Sequence, residues 1–77
     1  MINFEIGKNY YSDPTEDGYG VFIFKIKMFH NDKVTIEING KHVNRKINYE
    51  NGVATFKACK KLGQDRIVKA TNLSDLN

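Results

Sequence analysis

Two stretches decide the fold: Val34-Thr35-Ile36-Glu37-Ile38-Asn39-Gly40-Lys41-His42-Val43 and Ile47-Asn48-Tyr49-Glu50-Asn51-Gly52-Val53-Ala54-Thr55-Phe56. Asn-Gly best tolerates the positive φ that both central positions of a type I′ turn require, so Asn39-Gly40 and Asn51-Gly52 each predict a two-residue hairpin loop. The first loop sets Ile38 opposite Lys41, Ile36 opposite Val43 and Val34 opposite Arg45. The second sets Tyr49 opposite Ala54 and Ile47 opposite Phe56. Both registers place Val34, Ile36, Ile38, Val43, Ile47, Tyr49, Ala54 and Phe56 on one face. A slip of one residue would turn a whole strand over, so the agreement of two independent turns predicts a three-stranded meander from about Lys33 to Ala58.

Upstream, Gly20 to Phe29 carries Phe22, Phe24, Ile26 and Met28 at period two, with Lys25 and Lys27 on the other side. A three-residue loop at His30-Asn31-Asp32 would pair Met28 with Val34, Ile26 with Ile36 and Phe24 with Ile38, keeping the apolar face continuous. That register also sets Lys25 opposite Glu37. Further forward, Phe4, Ile6, Tyr10 and Tyr11 predict a short or bent strand broken at Gly7, and Ser12 to Gly20 reads as a polar loop. At the other end, Arg66 to Thr71 reads as a last strand reached through a Lys60-Lys61-Leu62-Gly63 loop. Asn72 to Asn77 forms a helical turn, with Leu73 and Leu76 over a barrel mouth, or a frayed tail. The class is all-β and mainly antiparallel. Five or six short strands in this order suit a small barrel or rolled sheet of the SH3-like or OB-like kind, because closure removes exposed edges.

Seventy-seven residues with net charge +3 allow one domain, residues 1–77, and one cysteine allows no internal disulfide. Packing must therefore hold the fold. The longest apolar run, Val21 to Phe24, is far below the ~20 residues that span a bilayer, and the opening residues lack the pattern of a secretion signal, so a cytoplasmic location without membrane contact is expected. The net charge leans toward acidic partners.

His30 and His42 are the only histidines, in a turn and on a solvent face, and neither has an evident catalytic partner. With the scattered acids Asp13, Glu16 and Asp17 they make no recognisable metal spacing. No enzyme activity, metal or other cofactor is expected. Cys59, flanked by Lys57, Lys60 and Lys61, is either a thiol activated by positive charge or a structural cysteine at a strand end. The distinctive feature is on the solvent face, where the registers align Phe29, Lys33, Lys46 and Lys57 across four strands. Directly opposed like charges cost stability unless an anion meets them or the stems splay. With Arg45 and Lys41 nearby they make a basic region beside an aromatic, suited to phosphate contacts and base stacking. Arg45 falls on the core phase, as at a sheet edge or barrel mouth.

Phe4-Glu5-Ile6-Gly7-Lys8-Asn9-Tyr10-Tyr11, Val34 to Lys41 and Arg45-Lys46-Ile47 resemble segments of short, mostly uncharacterised proteins from phages, plasmids and genomes of low-GC Gram-positive bacteria. The hairpins from Val34 to Phe56 are also similar to surface immunoglobulin-like repeats, which fit less well without a signal or tandem repeat. The first resemblance implies a stoichiometric binder of a host protein or nucleoprotein complex, such as an inhibitor of a CRISPR effector. The alternative is direct binding of DNA or RNA through the basic face. A monomer and a homodimer both remain open.

Overall fold

The computed structural model of the chain describes residues 1–12, 22–61 and 64–73. Its strands are β1 (Asn9–Ser12), β2 (Ile23–His30), β3 (Lys33–Ile38), β4 (Lys41–Lys46), β5 (Asn48–Glu50), β6 (Val53–Lys61) and β7 (Gln64–Leu73). They form one antiparallel sheet in the order β4-β3-β2-β1-β7-β6-β5. The sheet nearly closes into a small barrel, because its two end strands are one chain segment bent at Ile47.

Both Asn-Gly turns form as their chemistry dictates, with φ of 51° and 77° at Asn39 and Gly40 and of 53° and 79° at Asn51 and Gly52. Ile38 pairs with Lys41, Ile36 with Val43 and Val34 with Arg45. Across the second turn, Tyr49 pairs with Ala54 and Asn48 with Thr55. The predicted middle strand of the meander divides at Ile47. Before it the chain pairs with β3 and after it with β6, while the Ile47 N–H donates to the Asp32 carbonyl at 2.7 Å and the side chain stays buried. The five or six expected strands thus become seven.

Three expectations change. The β2–β3 loop is two residues long: Asn31 takes φ 54°, His30 pairs with Lys33, and Phe29 rather than Met28 pairs with Val34. A β-bulge that leaves Lys27 unpaired between Ile26 and Met28 restores the parity, so Ile26 still meets Ile36 and Lys25 still meets Glu37. Met28 consequently turns outward and is exposed. Tyr49 keeps its register but is 47% exposed, because β5 is a terminal strand with a neighbour on one side only; its hydroxyl accepts from Asn3 Nδ2 at 3.1 Å. Finally, Asn72 and Leu73 belong to β7, and Lys61 pairs with Gln64, so strand replaces the start of the expected helical turn and part of the expected loop. Residues 13–21, 62–63 and 74–77, which carry the expected polar loop up to Gly20, the rest of the Lys60-to-Gly63 loop and the end of the tail with Leu76, lie outside the described residues.

The core is aromatic at its centre. Phe4 packs edge-on to Tyr10 at 4.9 Å between ring centroids and tilted on Phe56 at 5.1 Å, and Phe56 meets Phe24 edge-on at 5.8 Å. Ile26, Val34, Ile36, Ala54 and Val68 fill in around them, all fully buried. The segment before β1 locks this centre. Gly7, at φ 87°, turns the chain so that the Lys8 N–H returns to the Glu5 carbonyl at 3.3 Å, and the buried Tyr10 hydroxyl accepts from the Glu5 N–H at 2.9 Å. Ile2 bridges to β6, donating to the Gly52 carbonyl and accepting from the Ala54 N–H.

Phe56 touches both Phe4 and Phe24, so Phe56→Ala should destabilise the domain by about 3–5 kcal/mol. A chain of this size has only about 4–12 kcal/mol in total. Urea unfolding should show the midpoint falling by at least about a quarter. Gly40→Val, which forces a β-branched residue into positive φ, should also lower it, without opening a cavity.

Candidate functional site

The outer face of β2, β3 and β4 gathers the polar side chains in three cross-strand rows. His30, Lys33 and Lys46 form the first, Met28, Thr35 and Asn44 the second, and Lys25, Glu37 and His42 the third. Each row follows from alternation in the strands and from the bulge at Lys27, which puts Met28 on this side.

Two of the rows are knitted by side-chain bonds. Thr35 Oγ1 donates its one proton to Asn44 Oδ1, and His30 Nε2 lies 2.9 Å from the same hydroxyl. With that proton spent, His30 must donate through Nε2. In the third row, Glu37 sits 3.3 Å from the Lys27 ammonium and 3.5 Å from His42 Nε2. The bond to Lys27 and its charge hold the Glu37 carboxyl below the ordinary carboxylate range, with His42 adding to the effect. Glu37 is the acid of this face; the row of His30, Lys33 and Lys46 contains none.

Lys33 and Lys46 are in direct register and exposed. Theirs is a non-hydrogen-bonded pair by alternation from the Asn39-Gly40 turn, so their Cα atoms sit about 4.5 Å apart. The other expected members fall elsewhere. Phe29, 37% exposed, stands on the opposite face in register with buried Val34, because the two-residue turn replaced the longer loop. His30 takes its place in the row. Lys57 is exposed but pairs with Ile67 on β7, and no ladder joins it to Lys46, since the chain leaves β6 at Ile47. It borders a shallow depression with Asn48, Glu50 and Thr55. Lys41, next to the Asn39-Gly40 turn, lies five residues along β4 from Lys46, about 16 Å away.

Arg45 has a structural task. The β6–β7 ladder skips Ala58, and Arg45 Nε donates to the Ala58 carbonyl at 2.9 Å while Nη1 donates to the Asn44 carbonyl at 2.8 Å. This side chain spans the seam between β4 and β6, where no backbone ladder runs. A second arginine on the core phase, and a buried one, is not singled out by the sequence: Arg66, 3% exposed, lies 3.5 Å from Ser12 Oγ and 5.1 Å from the centroid of the Phe22 ring. Its core phase with Val68 and Ala70 was the available signal. Cys59 is on β6, its side chain outside the described residues. Among the described residues no three of His, Cys, Asp and Glu converge on a metal position, and no helix is long and apolar enough to cross a membrane.

The depressed Glu37 carboxyl gives a pH prediction. A carboxyl lowered in the folded state contributes stability that is present above its unfolded pKa and lost as the pH falls through the folded value. Lys27→Met should move the Glu37 titration, followed by carboxyl carbon NMR, back up toward the ordinary range and flatten the acid limb of the stability profile.

Searches for relatives of this chain found that no protein-family model, no curated protein and no solved structure matches it.

Proposed function

We propose that the chain is a small non-enzymatic binding protein that attaches stoichiometrically, through the outer face of β3 and β4, to an acidic surface of a host protein or nucleic-acid-handling complex. One observation carries the reading: Lys33 and Lys46 are held directly opposite each other and exposed, in a row that contains no acid. Such a pair repels itself in the free domain, and an anion placed against it relieves the repulsion. The resemblance to short phage and plasmid proteins favours a host target, an inhibitor of a CRISPR effector being one form, and a cytoplasmic setting.

Direct binding of DNA or RNA is the second reading, favoured by the same lysine pair with Lys57 and Lys41 as outlying phosphate contacts. It is the weaker of the two, because Phe29 stands on the opposite face from the lysines and cannot extend their row as a stacking platform.

Two measurements separate these readings. Affinity capture from host lysate should yield one partner at fixed stoichiometry, lost on Lys46→Glu. Fluorescence anisotropy with single- and double-stranded oligonucleotides should show no binding at low salt; tight binding whose logarithm falls linearly with log salt and disappears in Lys46→Glu would favour the nucleic acid. Capture unaffected by Lys33→Glu and Lys46→Glu together would remove this face from the function.

A further inference from the structure

We infer that the outer edge of β4 receives an extended acidic segment of the partner protein as an added strand. The inference rests on the reading of the domain as a cation-bearing binding module, and it names how that partner is held.

The edge follows from the turn. In a two-residue hairpin the residues flanking the loop exchange both backbone bonds, so Lys41, Val43 and Arg45 aim their N–H and C=O groups at β3. Ile47 continues the alternation, its N–H reaching Asp32 on the same side. His42, Asn44 and Lys46 therefore present their backbone groups to the other side. The Asn44 carbonyl, met there by the guanidinium of Arg45, agrees with this. Among the described residues no strand pairs with that edge: β4 has β3 alone as its ladder partner, and its approach to β6 is made through the Arg45 side chain.

The charge on the two seam strands selects the occupant. β4 and β6 hold six of the twelve lysines and arginines of the chain, and neither strand contains an aspartate or glutamate. Lysine on an edge strand normally discourages promiscuous pairing. Here it repels a second copy of β4, which would set cations against cations, and it admits a strand of opposite charge. A comb of alternating donors and acceptors at strand spacing is matched by a peptide backbone and not by a phosphate backbone. Along β4 the outer face carries His42, Asn44 and Lys46, and the other carries Lys41, half-buried Val43 and Arg45. A segment alternating acidic and small apolar residues would place carboxylates beside Lys46 and methyl groups beside Val43.

The test uses the full chain labelled with nitrogen-15 and an acetylated nine-residue peptide of alternating Glu and Val. Amide exchange at His42, Asn44 and Lys46 should slow at least tenfold on binding, with Val43 and Arg45 unchanged. The same peptide N-methylated at alternate residues keeps its charge but loses the donors of one edge, and its affinity should fall at least tenfold. Equal binding of the methylated peptide, or shifts confined to the side chains of Lys33 and Lys46, would overturn strand addition and leave the cationic face standing. Binding of an oligothymidine in place of the peptide would overturn both. Concentration-dependent broadening of the same amides without peptide would assign the edge to self-association and overturn the inference.

Discussion

The structure depends on the bend at Ile47. A sheet of seven strands has two ends, and in this chain both are made by the single segment from Lys41 to Glu50. Ile47 buries its side chain in the core and donates its N–H to Asp32, on the side of β3, while the next residue, Asn48, already pairs with Thr55 on β6. A strand that changes partners at one buried residue brings the ends of its own sheet together. The aromatic centre of Phe4, Tyr10, Phe24 and Phe56 then has walls on all sides, which a flat sheet of this size could not provide.

Closure is paid for in the backbone pairing between β4 and β6. After Ile47 the chain pairs with β6 as β5, but before it β4 has no ladder to β6, and Arg45 spans that gap with one bond to the carbonyl of Ala58, which the β6–β7 ladder skips. An arginine on the core phase is thus compatible with a core otherwise made of apolar groups: its head finds backbone oxygens at the rim. The bulge at Lys27 does similar work at the far side of β3. It absorbs the extra residue left by a two-residue turn, keeps Ile26 against Ile36, and frees Lys27 to reach Glu37. The candidate face is thus shaped by two irregularities in otherwise regular strands.

Those irregularities sort charge on the outer face of β2, β3 and β4. Lys27 neutralises Glu37 and, with His42, orients it in one row, and Thr35, itself bonded to Asn44, ties down His30 in the next. Lys33 and Lys46 are left in register at the end of the hairpin, close to the seam where, among the described residues, no strand pairs with the edge of β4. On the proposed reading, this cationic pair and the outer backbone edge of β4, within a few residues of each other, supply the charge that selects a partner and the hydrogen bonds that hold it.

The hairpins from Lys33 to Phe56 were legible in the residues themselves, since Asn-Gly demands positive φ and a fixed loop length sets the parity of everything attached to it. The opposition of Lys33 and Lys46 came with that parity, as did the core phase of Arg45. The place of Phe29 did not, because a three-residue loop and a two-residue turn followed by a bulge give the same pairing at Ile26 and differ only beyond it. The separation of Lys46 from Lys57 also lay beyond local pattern. It arises where the barrel wall curves, and curvature is set by how Ile47, Phe56 and Phe4 pack together. Periodicity and turn chemistry act between neighbours along a strand, so they determined which side chains share a face; which strands stand side by side around the barrel, and where a seam remains, was decided by the core they enclose.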